Sequence, residues 1–267
     1  MSDPQFEPPS LFGQKILVTR PLDQNADLVD RLAALGAAVL IQPAIRISEP
    51  PDWAAVDEAL ACLGSFDWLV FSSANGVRYL LDRLWSTGGD LRRLGKVRLA
   101  AIGPGTAEAL ARYHLRPDLT PEKFRAEALA EVLAAEAAGQ RFLLARASRG
   151  REVLAEQLRA AGGQVEQVVV YSSTDVQVAD EALTAQLAGG EIAWITVTSS
   201  AIAKALHGLF GEHLRRSRLA SISPLTSAAL RQLGYEPEAE ATQYTMPGVV
   251  EAILRASDAQ AATSPGS

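Results

Sequence analysis

Few residues in this chain could form a disulfide or bind a metal. Its 267 residues include one cysteine, Cys62, and three histidines, His114, His207 and His213. A single thiol cannot form an internal disulfide, and none of the histidines has a second ligand at helical or loop spacing. We therefore expect no disulfide framework, no metal and no other cofactor.

Long apolar runs and an excess of positive charge are also absent. No apolar stretch approaches the roughly 18 residues that a membrane helix needs, and the first ten residues lack the pattern of a signal peptide. The formal net charge is −6, and no basic stripe with interleaved aromatics could replace the counterions of a polyanion. These features predict a cytoplasmic monomer that binds neither membranes nor nucleic acid. An anionic ligand would have to be held by local donors.

Two common catalytic signatures are incomplete. The run GPG at 103–105 resembles the opening of a dinucleotide-binding turn, but Glu108 stands where the third glycine belongs and would repel a pyrophosphate. Ser72 and Ser73 lack the flanking glycines of a hydrolase elbow, and no histidine lies in a matching motif. Nucleotide binding and nucleophilic serine catalysis are therefore disfavoured.

The chain contains the same sequence pattern twice. The run KILVTR at 15–20 returns as RFLLAR at 141–146, and WLVFSS at 68–73 returns as WITVTS at 194–199, both after 126 residues. LAAIGPGT at 99–106 returns as LASISPLT at 219–226 after 120 residues. Solenoid repeats are shorter, roughly 20–50 residues, so this period indicates a duplicated domain. Two similar domains predict a cleft between them, where ligands commonly bind.

Short apolar runs alternate with helical patterns, which favours parallel sheets built from βα units. The two extended stretches 41–47 and 168–174 occupy equivalent places and are the candidate crossovers between domains. A small, polar stretch at 256–267 predicts a disordered tail. Strands are predicted over 15–19, 68–72, 98–102, 194–198 and 218–222, with a further extended run over 39–47.

Polar side chains follow these strands where helices begin. The carboxyl ends of parallel strands share one edge, and several helix N-termini with free N–H groups converge there, which suits an anionic ligand. Plain helix capping explains each turn equally well, and Thr106 and Thr226 are expected as N-caps. The residues concerned are Ser72, Ser73, Asn75, Gly76, Thr106, Thr198, Ser199, Ser200 and Thr226.

Three further side chains have two interpretations each. Arg20 and Arg146 end equivalent strands and could bind carboxylates bidentately, or could form surface ion pairs. Tyr171 follows a valine-rich run and could present its phenol to the cleft, or could pack beside the crossover with its hydroxyl in water.

Taken in order, these motifs resemble the uroporphyrinogen-III synthase family, cofactor-free cyclases of tetrapyrrole biosynthesis. Ser223 and Val197 depart from the first copy, which has Gly103 and Phe71 in their places, and this bears on the contacts of the second pair of turns. The matching elements are VTRP at 18–21, FSSANGV at 71–77, IGPGTA at 102–107, Phe124 with Glu127 and Leu129, Arg146 with Gly150, Tyr171 with Thr174, TSS at 198–200 and SPLT at 223–226.

The resemblance implies an α/β fold of two similar flavodoxin-like parallel-sheet domains, joined by a two-stranded β ladder. It places 1–43 with 174–267 in a discontinuous domain 1 and 46–170 in domain 2. It also implies that the chain cyclises hydroxymethylbilane, a linear tetrapyrrole polycarboxylate, through a spiro intermediate that inverts the last ring. Tyr171 is then the candidate general acid, and the implied substrate contacts are Arg20, Ser72, Ser73, Asn75, Gly76, Gly103, Thr106, Arg146, Thr198, Ser199, Ser200, Pro224 and Thr226.

Fold and motifs leave other functions open. A two-lobed module that binds a small anion or a tetrapyrrole without reaction would use the same architecture, and so would a regulatory domain that has lost activity.

Overall fold

The computed structural model describes residues 10–263, with side chains described as far as residue 259. The chain divides into two compact units. Unit 1 comprises Met1–Arg46 and Thr174–Ser267, and unit 2 comprises Ile47–Ser173. The domain bounds expected from the family resemblance are 1–43 with 174–267 and 46–170.

The described part of unit 1 contains a five-stranded sheet. Each adjacent pair of these described strands is parallel, as the alternation of short apolar runs and helices predicts. The strands are β1 (Lys15–Val18), β2 (Ala38–Ile41), β8 (Trp194–Val197), β9 (Arg218–Ser221) and β10 (Ala239–Glu240), in the order β10-β9-β8-β1-β2.

The described strands of unit 2 form a second five-stranded sheet in the order β3-β7-β6-β4-β5. The chain passes between the units within β3 and again within β7, and both points lie inside the candidate crossovers 41–47 and 168–174. The strands are β3 (Ile45–Ser48), β4 (Trp68–Phe71), β5 (Arg98–Ala101), β6 (Arg141–Ala147) and β7 (Gln164–Asp175).

The duplication is confirmed by the backbone pairing of the strands. In unit 1, β1 pairs with β8 so that Ile16 faces Trp194. In unit 2, β6 pairs with β4 so that Phe142 faces Trp68, and both partners are displaced by the same 126 residues. In each unit this pair is the place where the strand order reverses direction, which is where open α/β sheets bind ligands.

Helices cover both faces of the unit 2 sheet. All four residues of β4 are buried, with Trp68 and Val70 in one core cluster and Leu69 and Phe71 in another. Because successive side chains of a strand point to opposite faces, a continuous apolar run indicates a strand covered on both sides. The run WLVF at 68–71 therefore encodes a central strand.

The described residues form ten α-helices, none of them long and apolar enough to span a bilayer. The prediction of a disordered tail from residue 256 is wrong as far as residue 263, because the last helix continues to that point. Its remainder, 264–267, lies outside the described residues. The helices are α1 (Ala26–Ala34), α2 (Ala54–Ala61), α3 (Ala74–Ser86), α4 (Pro104–Ala111), α5 (Ala126–Ala134), α6 (Val153–Ala160), α7 (Glu181–Ala188), α8 (Ser200–Phe210), α9 (Pro224–Gln232) and α10 (Met246–Thr263).

The two copies end one equivalent helix with different residues. His114 follows α4 with a φ of 58°, and Gly234 follows α9 with a φ of 84°; the two positions are 120 residues apart. Both lie in the left-handed region, which a residue with a Cβ adopts only at a cost of roughly 1–2 kcal/mol. Unit 2 therefore retains strain that unit 1 avoids by using glycine.

We predict that His114→Gly raises the free energy of unfolding by about 0.5–1 kcal/mol, since relief of the strain exceeds the added flexibility of the unfolded chain. Gly234→Ala should lower it by about 1–2 kcal/mol. Urea titrations followed by circular dichroism measure both changes. An unchanged midpoint for both variants would contradict this account of the two helix ends.

Candidate functional site

An irregularity in the β6–β7 pairing determines where Tyr171 lies. Arg146 faces Val169, but the next residue, Ala147, faces Tyr171, so Val170 is an extra residue in β7. The bulge buries Val170 and Tyr171 consecutively, although neighbours in a regular strand point to opposite faces. Bulges of this kind redirect side chains beside active sites.

The hydroxyl of Tyr171 is held inside unit 2. Its oxygen lies 3.1 Å from Ser73 Oγ, its ring stacks on Tyr79 at a centroid distance of 5.7 Å, and only 8% of the residue is exposed. The structure therefore contradicts the interpretation in which this hydroxyl lies in water.

Burial raises the pKa of the Tyr171 phenol above its ordinary value of 10.0. Hydrogen bonds with Ser73 and Asn75 and the positive charge of Arg149 act in the opposite direction but do not cancel it. The phenol is consequently protonated at neutral pH. A proton donor must be in that state, and the three opposing groups would stabilise the phenolate formed once the proton has left.

Ser73 has a second role, as the N-cap of α3. Its Oγ accepts a hydrogen bond of 3.0 Å from the backbone N–H of Gly76. A Cβ on Gly76 would lie 3.0 Å from the carbonyl oxygen of Ala145, so glycine here lets the start of α3 approach β6 closely. The cap predicted by the sequence is present, and it also contacts the tyrosine.

A cavity of about 240 Å³ lies at this edge of the unit 2 sheet. It adjoins the ends of β4 and β6, the pair where the strand order reverses. Ser72, Ser73 and Tyr171 contribute hydroxyls to its lining, and Arg146, Arg149 and Arg151 contribute positive charge. A cavity with these groups suits a ligand that carries carboxylates.

The three cavity arginines have different partners. Arg146 forms an ion pair with Glu152 and donates to Gln167 Oε1 at 2.9 Å, so the ion-pair interpretation holds for this residue. Arg151 pairs with Glu127. Arg149 donates from Nε to Ser173 Oγ at 3.1 Å, which fixes its guanidinium on β7 two residues beyond Tyr171.

In unit 1, the ends of β1 and β8 bring Arg20 and Thr198 together. Arg20 donates from Nη1 to Thr198 Oγ1 at 3.1 Å and from Nε to the carbonyl oxygen of Gln24 at 3.0 Å. Desolvation lowers the pKa of Arg20 below its ordinary value, and the nearby negative charges of Asp23 and Asp27 offset this effect only in part. The guanidinium is thus fixed at the reversal point of the unit 1 sheet.

The next two turns of unit 1 begin α8 and α9. Ser199 caps α8 by accepting from the N–H of Ile202 at 3.1 Å. Ser200, the first residue of α8, donates from Oγ to the carbonyl oxygen of Leu225 at 3.3 Å. This bond joins the first turn of α8 to that of α9, where Pro224 occupies the first position.

The prediction that Thr106 and Thr226 are N-caps is wrong. Gly103 and Ser223 occupy the cap positions, with extended backbones, and each threonine is the third residue of its helix. Thr226 N–H donates to Ser223 Oγ at 3.4 Å, and the Thr226 hydroxyl lies 3.2 Å from that oxygen. Both threonines are almost fully buried, at 4% and 2% exposure.

Sequence reasoning missed Arg149 and Arg151. They flank Gly150 in the turn that follows β6, at the same edge as the predicted serines. Two arginines around a glycine at a strand end were a usable signal, since such a turn presents positive charge to the binding edge of a parallel sheet.

A second and larger cavity, of about 450 Å³, lies at the opposite edge of the unit 1 sheet, where β8 and β9 begin. Two of the three arginines that line it have partners, since Arg215 pairs with Glu212 and Arg218 lies over the ring of Trp194. Its lining contains neither Tyr171 nor any of the serine turns at the carboxyl ends of the strands. Chemistry rather than size therefore identifies the candidate site as the edge that carries the polar turns.

Comparison with known proteins gives a consistent result. A family model described as uroporphyrinogen-III synthase HemD matches residues 26–251. Uroporphyrinogen-III synthase of Synechococcus elongatus is 35% identical over 91% of this chain and 95% of its own length. The enzyme of that name from Escherichia coli is 30% identical over 83% of this chain and 92% of its own length.

Solved structures share the fold. Mutant uroporphyrinogen III synthase from Thermus thermophilus aligns with a TM-score of 0.69 at 19% identity, covering 92% of this chain and 99% of that chain. The synthetase from Helicobacter pylori aligns with a TM-score of 0.58 at 17% identity, covering 91% and 99%. The extent of the family match and the identity to these relatives show that the chain belongs to the uroporphyrinogen-III synthase family.

Proposed function

We propose that this protein cyclises hydroxymethylbilane to uroporphyrinogen III and water, inverting the terminal pyrrole ring, without a cofactor. The observation that carries the proposal is a buried, protonated Tyr171 whose hydroxyl contacts Ser73 at an arginine-lined cavity. Family membership supports this activity over the alternative of a small-anion or tetrapyrrole sensor.

In the proposed reaction, Tyr171 donates its proton to the terminal hydroxyl of the bilane. The carbon–oxygen bond breaks, its electron pair leaves with the oxygen, and the group departs as water. The substituted carbon of the last pyrrole then attacks the methylene carbon that the hydroxyl has left, which forms a spiro intermediate. The bond from that pyrrole carbon to its original methylene bridge breaks, the freed bridge carbon bonds to the unsubstituted carbon of the same pyrrole, and loss of the proton on that carbon closes the ring with the pyrrole inverted. The proton released on closure restores the phenol, so the enzyme returns to its starting state.

Positioning supplies most of the proposed catalysis, because the bilane is itself reactive and only its geometry decides which isomer forms. We propose that carboxylates of the substrate bind the N–H and hydroxyl groups of the strand-end turns, where helix N-termini favour negative charge. The proposed contacts are Arg20, Ser72, Ser73, Asn75, Gly76, Gly103, Thr106, Arg146, Thr198, Ser199, Ser200, Pro224 and Thr226, to which the structure leads us to add Arg149 and Arg151.

We further infer the topology of the two domains, the cellular location and the oligomeric state. The strand order in each unit supports a flavodoxin-like arrangement. In this arrangement β3 and β7 form the ladder that connects the domains, and unit 1 is the discontinuous domain. The net charge of −6 supports a cytoplasmic monomer that does not bind nucleic acid.

The proposed reaction gives one specific product isomer. Purified protein incubated with hydroxymethylbilane should yield the type III isomer, resolved from type I by chromatography after oxidation to the porphyrin. Product of type I alone, at the rate seen without protein, would reject the proposal. Binding of the bilane without any cyclisation would favour the sensor alternative.

Tyr171→Phe should lower kcat by roughly 100-fold, because loss of a general acid removes a step-specific contribution. Its KM should change by less than about 2-fold, since the ring and its stacking on Tyr79 remain. Tyr113→Phe is the matched control: it removes a phenol bonded to Asp82 at 2.7 Å, outside the cavity. Equal rates for wild type and Tyr171→Phe would exclude this tyrosine from the mechanism.

Arg149→Gln should raise KM by at least about 10-fold, because one charge-assisted hydrogen bond to a substrate carboxylate contributes roughly 1.5–3 kcal/mol. Arg112→Gln provides the control, since Arg112 is exposed on the far end of α4 and pairs with Glu108. Initial rates over a range of bilane concentrations distinguish the two variants. A KM for Arg149→Gln equal to that of the control would show that Arg149 does not contact the substrate.

A further inference from the structure

Two exposed aromatic side chains occupy equivalent places in the two units. Phe124 is 43% exposed and Tyr244 is 42% exposed, whereas the aromatic residues Phe71 and Phe142 in the sheet are fully buried. The two exposed residues are separated by 120 residues, the same displacement that relates β5 to β9. Duplication has therefore kept a large ring at this position in both copies.

Both rings lie at the edge of the sheet that carries the polar turns. Leu119 pairs in parallel with Ala100 of β5, and the chain then reaches Phe124 just before α5. In unit 1, β10 pairs with β9, and the chain reaches Tyr244 just before α10. Each aromatic residue thus lies in the loop that follows the carboxyl end of a parallel segment.

Phe124 packs over the residue that caps α4. A Cβ placed on Gly103 would lie 3.0 Å from Phe124 Cβ and 3.1 Å from its Cγ. The φ of Gly103 is −180°, a value that any residue adopts, so the ring and not the backbone conformation explains the glycine. One position therefore combines an exposed aromatic side chain with the N–H groups at the start of a helix.

This combination matches the chemistry of a pyrrole that carries acidic side arms. The ring of a pyrrole is flat and apolar, and its carboxylates project from the ring edge. A helix N-terminus can bind an arm while an adjacent aromatic side chain packs on the ring, with a stacking preference for offset or edge-to-face geometry. A single small anion would use only the first of these features.

We propose that Phe124 and Tyr244 are ring contacts for two pyrroles of the substrate and fix their orientation during cyclisation. The inference rests on the proposed function and deepens it, because it assigns each unit one pyrrole-binding position. The two residues act in positioning and transfer no proton.

The test replaces the rings with leucine and compares aromatic exchanges. Phe124→Leu and Tyr244→Leu should each raise KM for hydroxymethylbilane about 5- to 10-fold and increase the share of type I product, with kcat changed by less than about 2-fold. Phe124→Tyr and Tyr244→Phe, which give each copy the ring of the other, should keep KM within about 2-fold of wild type. Trp85→Leu controls for the loss of an exposed aromatic residue elsewhere, since Trp85 is 74% exposed near the end of α3.

Outcomes for the inference and for the proposed function are separable. Wild-type protein that forms the type III isomer while both leucine variants keep the wild-type KM would overturn the ring contacts alone. Wild-type protein that forms no type III isomer would overturn both. Circular dichroism melts of each variant exclude unfolding as the cause of a raised KM, and rescue by the aromatic exchanges confirms that the ring is what matters.

Discussion

The parallel pairing of β4 with β6 and of β1 with β8 determines which polar residues of this chain can meet. Strands that run in the same direction end at the same edge, and at a reversal of strand order the two following helices leave on opposite sides of the sheet. In these pairs, α3 follows β4 and α8 follows β8, while α4 and α9 follow the neighbouring parallel strands β5 and β9. All four helices therefore begin with N–H groups at the carboxyl edges of their own sheets. Under the proposed function, these local fields are what would allow a protein with a net charge of −6 to bind a polycarboxylate.

The two copies share a framework and differ in their chemistry. Ser73 and Ser199 cap equivalent helices with almost identical geometry. Among the strands that the structure describes, a bulge beside such a cap is found in unit 2, where it turns Tyr171 toward Ser73. Unit 2 also combines Gly103 with an aromatic ring, whereas unit 1 has Ser223 at that position, capping α9 through its hydroxyl. In the proposed mechanism, proton donation is thus confined to unit 2, while the proposed anion-binding groups are present in both units.

Sequence patterns predicted those features that depend on repeated local chemistry. The 126-residue displacement predicted a duplicated α/β unit, and the serine turns predicted the caps of α3 and α8. Sequence patterns did not predict features that depend on the backbone conformation of a neighbouring residue or on contacts with distant segments. Thr106 has the residue type of a cap, but the extended backbone at Gly103 takes that position. The bulge at Val170 and the exposure of Phe124 depend on contacts between segments distant in sequence, and the length of α10 was missed because its polar composition resembled a tail.

The central claim is that helix N-termini at the carboxyl edges of both sheets bind the carboxylates of the tetrapyrrole. Hydrogen–deuterium exchange with and without uroporphyrinogen III tests it directly, because bound carboxylates slow exchange of the N–H groups that they accept from. The account predicts slower exchange in the segments 72–76, 103–107, 198–202 and 223–227. Protection confined to the opposite edge, around 214–218, with these four segments unchanged, would contradict it.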